Sequence, residues 1–280
     1  MSTFTVARDD FRNARRSYIV LGVIGVFTAL TALIFVAEID IYDDPYRVLF
    51  DVLFFVSFVF PLLLAPLAYL SIAGDRTSGA IKYAMGLPNS RAEYFAGKFL
   101  SRFGVGAAAI VLAVAVGFVI SLAFFVSTPD VVRFATFAGI TLLYTFTFVS
   151  MFVAVSASTD SRSRAMFGTL GLYFVLIVFW FGFLPLLNIG TLLDTVESLL
   201  GVTVSEDTRN YVGLLSPGTA YLQTCKAVYG GVLGQYESFA QFETGDELYA
   251  QTWFTALVIL AWGVGSLAVG YLRFQRSELG

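Results

Sequence analysis

The side chains that usually carry out catalysis or bind metals are scarce in this chain. It has no histidine, which excludes histidine metal ligands, histidine proton relays and nucleophiles activated by histidine. Its one cysteine, Cys225, has no partner for an intrachain disulfide. Carboxylates gather in 38–44 and 194–247, but they are scattered rather than set at the spacing of a metal-binding loop. The sequence therefore predicts no catalytic residue and no metal site.

The rest of the sequence is strongly apolar. Hydrophobic residues make up 58% of the chain and charged residues 13%, whereas soluble domains carry about 25% charged residues. Six windows are long enough to cross a bilayer as helices of roughly 20 residues: 18–37, 50–72, 103–126, 133–156, 166–188 and 252–272. We therefore expect an all-α polytopic membrane protein with six transmembrane helices in a single transmembrane domain, 1–280.

Basic residues are unevenly distributed around these windows. One side has the basic residues of the N-terminal tail, the 73–102 loop, the 157–165 loop and the C-terminal tail. The other side has only Arg47, Arg133, Arg209 and Lys226. By the positive-inside rule, the more basic side is cytoplasmic. The sequence thus predicts a multi-pass protein of the cell membrane with both termini in the cytoplasm.

The N-terminal tail has a helical pattern of its own. Phe4, Phe11 and Tyr18 are seven residues apart, and arginines lie on the other faces. This pattern is typical of an interfacial helix in the headgroup layer. A disordered basic tail that only sets the topology is the alternative.

The longest hydrophilic stretch, 189–251, also has helical signals. The run 191–200 is amphipathic, and a second helix is predicted with Ser216 as its N-cap and Pro217 at its first position. The tyrosines of this stretch would suit the membrane interface: Tyr211, Tyr221 and Tyr229. We expect a small outer helical cap lying on the outer leaflet.

Between the second and third windows, charged residues interrupt the apolar sequence. Asp75 is predicted to cap a short helix that begins near Arg76 and ends at Gly86 to Pro88. Ser90 and Glu93 then form a capping box, which starts a helix that continues into the third span. The short helix would lie parallel to the membrane, held between two spans. It either covers the headgroup layer or transmits the push of a soluble partner to both spans.

The run GDRTSGAIKYAMGLPNSRAEYFAGK resembles the cytoplasmic signature of type-2 ABC transporter permeases. That signature has an acidic residue and Arg before a short helix, then Pro-x-Ser-Arg and Gly-Lys. The matching positions are Asp75, Arg76, Gly79, Pro88, Ser90, Arg91, Gly97 and Lys98. Ala80 stands where the family usually has Thr, and Asp75 where Glu is commoner. The run LLSPGTAYL at 214–222 is similar to the branch associated with multicopper-enzyme maturation.

The resemblance implies the membrane half of an ATP-driven transporter, in which 75–90 is a coupling helix seated in a cleft of a separate ATPase subunit. The residues that it implies for ATPase coupling are Asp75, Arg76, Gly79, Ile81, Lys82, Tyr83, Pro88, Ser90 and Arg91. This chain has no phosphate loop, because Phe99 stands where the motif needs Ser or Thr. We therefore expect no cofactor on this chain, ATP and Mg in the partner ATPase, and a second permease copy in a homodimer.

The family also implies that the second and fifth spans line the transport pathway. Their aromatic residues are Phe54, Phe55, Phe58, Phe174, Phe179 and Trp180. Such a wall suits an apolar or amphipathic substrate, although aromatic stripes in membrane helices more often face lipid or the protein core. The alternative functions are a secondary transporter or channel without an ATPase, and a passive membrane anchor for a complex. No span has the internal charge that ion-coupled carriers usually bury.

Overall fold

The computed structural model describes residues 3–14, 17–87 and 90–277. These residues form helices and connecting turns, without a β-strand. The α-helices in chain order are α1 (Thr3–Ala14), α2 (Tyr18–Ala37), α3 (Pro45–Ala68), α4 (Ala73–Ser78), α5 (Ala80–Gly86), α6 (Arg91–Phe124), α7 (Val131–Ala157), α8 (Arg162–Tyr173), α9 (Ile189–Leu200), α10 (Glu206–Gly213), α11 (Pro217–Thr224) and α12 (Thr252–Arg276).

Six helical stretches of the described residues are long and apolar enough to cross a membrane. They are Tyr18–Ala37, Pro45–Ser78, Arg91–Phe124, Val131–Ala157, Arg162–Phe179 and Thr252–Arg276. This confirms an all-α polytopic membrane protein. The fifth span is shorter than its predicted window, because α8 continues only through a π-helical turn, Phe174–Phe179. Gly182, with a φ of 73°, then takes a left-handed conformation that a helix cannot contain.

The central helix of the bundle is α7. Of its apolar window 67% is buried, compared with 22% for α12, so the outer helices expose most of their apolar surface to whatever surrounds the chain. Glycines let α12 approach α7 closely. A Cβ at Gly270 would lie 2.6 Å from the Cα of Ala154, and one at Gly263 would lie 2.3 Å from the ring of Phe146. Larger residues at these two positions would therefore separate the helices.

The N-terminal helix α1 packs against the start of α6. Ala7 is buried, and a Cβ at Gly97 would lie 2.6 Å from Cγ1 of Val6. Phe4, in contrast, is 74% exposed. The predicted helix is therefore present, with one side on the protein and an aromatic residue on the other. Tyr18 belongs to α2 instead.

The 189–251 segment consists of α9 to α11 and three short 3₁₀ turns. Ser216 caps α11 as predicted, since its Oγ accepts a hydrogen bond from the amide of Gly218 at 3.1 Å. The prediction that Tyr221 and Tyr229 lie at the membrane interface is wrong, because both side chains are fully buried. The hydroxyl of Tyr221 is 2.9 Å from Oγ1 of Thr141 on α7. Helix α11 therefore fills the end of the bundle rather than lying flat on it.

Candidate functional site

The segment between the second and third spans, residues 73–90, forms two short helices rather than the predicted single one. Gly79 separates α4 from α5 with a φ of 76°, a left-handed conformation that favours glycine. Helix α5 ends at Gly86 as predicted, and Leu87 is extended with a ψ of 161°, as expected for a residue that precedes a proline. Pro88 lies outside the described residues.

The start of α4 is capped by another helix. The prediction that Asp75 is the cap is wrong, since Asp75 lies in the first turn and Ile72 is the N-cap residue. Two amides, those of Ile72 and Ala73, donate hydrogen bonds of 3.0 Å to Oγ of Ser156, a buried residue of α7. Ser156 therefore supplies the acceptor that unpaired amides at a helix start require. This contact attaches the 73–90 segment to the fourth span.

Asp75 belongs to a cluster of charges that joins three elements. Its Oδ2 is 2.6 Å from Nζ of Lys98 on α6, and Nζ is also 2.7 Å from Oδ1 of Asp10 on α1. Arg102 adds a second contact to Asp10 at 3.2 Å. Lys98 is 8% exposed, so this ion-pair network is largely shielded from water. One lysine thus connects the N-terminal helix, the 73–90 segment and the third span.

Burial and neighbouring charges shift the pKa of Asp10 in opposite directions. Burial alone would raise the pKa of this carboxyl, but the charges of Lys98 and Arg102 outweigh it and lower the pKa below its usual 3.8. Asp10 is therefore ionised in the folded protein at neutral pH. The docking of α1 depends on this charge.

Arg76 of the segment and Arg91, the first residue of α6, both contact the end of the sixth span. Arg76 donates to the carbonyl of Thr159 at 3.2 Å and to Oγ of Ser277 at 2.7 Å. Arg91 donates to three carbonyls at 2.6–3.0 Å, those of Phe274, Gln275 and Ser277. The last carbonyls of a helix lack amide donors, and a cation near them is favourable. Arg91 therefore caps α12 in trans, and Arg76 ties the segment to Ser277, the residue that follows this helix.

The opposite face of the segment is free. Ile81 anchors α5 with 1% exposure, whereas Tyr83 is 84% exposed and Lys82 also points outward. Neither outward side chain has a hydrogen bond or ion pair with the described residues. Ser90 and Glu93 form the predicted capping box, with the Ser90 amide 2.8 Å from the Glu93 carboxylate. The segment therefore has one attached face and one accessible face.

The sequence model of the ABC-2 family transporter proteins matches residues 4–279. The chain belongs to this family. It is a type-2 ABC transporter permease, a multi-pass membrane transport protein. No curated protein matches it significantly. The branch associated with multicopper-enzyme maturation stays a prediction.

The aromatic residues predicted to line the permease pathway do not share one surface. The rings of Phe54 and Phe58 are 6.2 Å apart along one side of α3. Phe55 instead faces α2, 5.6 Å from the ring of Phe27. On the fifth span, Phe174 is 40% exposed. Further along the chain are Phe179 and Trp180, whose indole Nε1 donates to the Gly213 carbonyl at 2.8 Å. Their role in transport stays a prediction.

Three residues of the permease site were not among the predicted coupling residues. Lys98 follows the Gly97 of the family signature, and a lysine at the edge of an apolar span is a usable signal. Ser156 and Phe274 have no such signal. The ring of Phe274 is fully buried and lies 5.4 Å from the guanidinium of Arg76. The position of Phe274 beside Arg76 depends on the packing of α12 against α6, which the sequence does not show.

Proposed function

We propose that the permease is driven by a separate ATP-binding-cassette ATPase subunit, which docks on the free face of residues 73–90. In this arrangement the segment and both termini are cytoplasmic, as the excess of basic residues on that side supports. The chain itself lacks a phosphate loop, so ATP and Mg are bound and ATP is hydrolysed in the partner. Two permease copies and two ATPase subunits complete the transporter.

The main support for this proposal is that the segment has one face attached to the spans and one exposed face. A surface cover would need only apolar contacts to lipid. Residues 73–90 are instead attached to α6 through Lys98, to α7 through Ser156 and to Ser277, at the end of α12, through Arg76. Tyr83 and Lys82 remain exposed on the other side. A partner that pushes on this face therefore moves rigid spans rather than a loop.

Transport requires the spans to change arrangement between nucleotide states. An ATPase subunit can shift this equilibrium only if it binds the two arrangements with different affinity. The ion pair of Asp75 with Lys98, the contact to Ser156 and the contact of Arg76 to Ser277 make the segment move together with three spans. The substrate that we propose is apolar or amphipathic, because the second and fifth spans are rich in phenylalanine.

The test is binding and stimulation of the ATPase subunit by permease variants of the free face. Tyr83→Ala removes an exposed aromatic residue, and Lys82→Glu reverses an exposed charge. A central aromatic contact contributes about 2 kcal/mol or more to an interface, which is about thirtyfold in affinity. We expect losses of this order in a pull-down with the ATPase, together with loss of ATPase stimulation by the permease.

Matched controls separate this effect from general damage. Tyr18→Ala removes another aromatic residue, 91% exposed at the start of α2. Arg12→Glu reverses an exposed charge on α1. If the two variants of residues 82 and 83 bind and stimulate the ATPase as well as these controls do, the segment is a membrane-surface cover and the proposal is wrong.

A further inference from the structure

An open cleft runs between the fourth, fifth and sixth spans. Its volume is about 660 Å³, which is within the range of about 300–1,000 Å³ typical of small-ligand sites. The walls are mainly apolar and include Met151, Leu172, Val258 and Ala261. Gly265 opens into it, because a Cβ there would find nothing within 4 Å. The helices of this chain leave the cleft unfilled.

Two arginines stand at the end of this cleft that lies next to residues 73–90. Val269 lines the cleft and also a smaller pocket, whose other walls are Leu272, Arg273 and Arg276. Arg273 follows Val269 by one helical turn, about 6 Å along α12. Both arginines are exposed, and neither has a hydrogen bond or ion pair with the described residues. Arg164, the other arginine of the cleft, is already paired with Asp160 at 2.7 Å.

We propose that this cleft is a binding site for one anionic phospholipid. An acyl chain lies along α12 between Val258 and Val269, and the phosphate lies between Arg273 and Arg276. Cationic side chains near the end of a membrane helix reach the headgroup layer, where a lipid phosphate can pair with them. A guanidinium binds a phosphate through two parallel hydrogen bonds.

The apolar part of the site supports the same occupant. An apolar cavity that is left empty loses the dispersion contacts of its walls, and lipid chains are the apolar molecules at this depth of the bilayer. The cleft is apolar where a chain would lie and cationic where a headgroup would lie. A neutral lipid would fill the cleft but leave Arg273 and Arg276 without an anionic partner among the described residues.

Trp262 lines the cleft and can report on its occupant. The chain has three tryptophans, so the variant Trp180→Phe/Trp253→Phe leaves Trp262 alone. It is reconstituted in phosphatidylcholine bilayers that contain the same minor fraction of a lipid with brominated chains, either phosphatidylglycerol or phosphatidylcholine. Bromine quenches indole fluorescence on contact. If each arginine contributes about 1 kcal/mol to the binding of an anionic lipid, the site prefers this lipid about thirtyfold over a neutral one. We therefore expect markedly stronger quenching by brominated phosphatidylglycerol.

Two variants of the cleft test the assignment. Arg273→Gln/Arg276→Gln should lower quenching by phosphatidylglycerol to the level of phosphatidylcholine, and Gly265→Leu should lower quenching by both lipids. The matched controls are Arg8→Gln/Arg12→Gln, two exposed arginines of α1, and Gly139→Leu, an exposed helical glycine with nothing within 4 Å of its Cβ position. Both controls should leave the preference intact.

A second measurement avoids the tryptophan substitutions. Mass spectrometry of lipids retained by the otherwise unchanged protein after detergent washing should show phosphatidylglycerol, and the Arg273→Gln/Arg276→Gln variant should lose it. Equal quenching by the two brominated lipids would overturn the proposal. So would a Gly265→Leu variant that dissociates a dimer while keeping the lipid preference, because the cleft would then be filled by a second copy of the chain.

Discussion

The hydroxyl of Tyr144 donates a 2.9 Å hydrogen bond to the carbonyl of Ser57. In a regular helix this carbonyl would accept the amide of residue 61, but residue 61 is a proline and has no N–H. Tyr144 of α7 therefore replaces the missing donor of α3. The next carbonyl, that of Phe58, accepts the hydroxyl of Tyr173 at 3.1 Å. Two tyrosines of the fourth and fifth spans thus hold the second span at its proline.

Replacing Tyr144 by phenylalanine should show how much stability the protein loses when nothing replaces the missing amide of Pro61. The Ser57 carbonyl would be left buried without a donor, which costs about 1–3 kcal/mol. We expect a lower thermal unfolding temperature for Tyr144→Phe in detergent. In the background of Pro61→Ala, which restores the backbone amide, the same change should cost much less. An equal loss in both backgrounds would show that the two residues are not coupled.

The ion pairs of Asp10 predict that α1 detaches from α6 at acid pH. Because the pKa of Asp10 is lower in the folded protein than its usual 3.8, its contribution is complete above pH 3.8 and is lost as the pH falls through the folded value. Lys98→Met removes the main compensating charge and should weaken docking by about 3 kcal/mol. Proteolysis of α1 along a pH series should then begin at a higher pH than in the unchanged protein. Arg12→Gln is the control and should not shift this onset.

Glu38, the residue that follows α2, predicts a pH dependence opposite to that of Asp10. Burial first, and then the neighbouring Asp51, raise the pKa of Glu38 from 4.5 to about 7 against the opposing charge of Arg47. Because the folded protein binds this proton more tightly, stability falls as the pH rises from 4.5 to about 7. Glu38→Gln should therefore raise the unfolding temperature at pH 8 more than at pH 5. Asp40→Asn, an exposed neighbour, should show no such difference.

Arg91 should control the order of the last turn of α12. Arg91→Met removes the contacts of Nη1, whose two N–H groups are shared among three terminal carbonyls of α12; a hydrogen bond that involves a charged group is worth about 1.5–3 kcal/mol. We expect faster hydrogen exchange of the amides of 273–277, with amides in the middle of α12 unchanged. Arg91→Lys should give an intermediate rate, because lysine keeps the charge but carries it on a compact, strongly hydrated ammonium at the end of a different stem. Unchanged exchange in both variants would contradict the capping role.

Cys225 should not react in the folded protein. Its side chain is fully buried, and this burial raises the pKa of the thiol above its usual 9.0. A maleimide should therefore label the protein only after denaturation, from either side of the membrane. Rapid labelling of folded protein would mean that the 189–251 segment opens. As the only cysteine, this residue can also serve as a probe of unfolding.

Local signals were enough to predict several elements of the permease. The capping box of Ser90 and Glu93 and the cap at Ser216 depend on residues within three positions of each other, so the sequence shows them directly. The cap of α4 could not be predicted in this way. Ser156 is 84 residues from the amide of Ile72 that it binds, and only tertiary packing brings them together.

The same limit applies to the candidate site. Asp75, Arg76 and Arg91 match the family signature, but their charges are directed at Lys98 and the end of α12 rather than at open solvent. A pattern of residue types cannot distinguish a charge that holds a segment in place from one that meets a partner. Conversely, Tyr83 carries no charge and yet is 84% exposed on the free face of the segment.

The contact between Asp10 and Lys98 also has a consequence for biosynthesis. The two residues are 88 positions apart, so a ribosome that adds about 5–20 residues per second makes Lys98 roughly 4–18 seconds after Asp10. During this interval the apolar side of α1, with Val6 and Ala7, has no place to dock on its own chain. The bilayer surface or a cellular insertion factor must shield it. The N-terminal helix therefore reaches its final position only after two spans have been made.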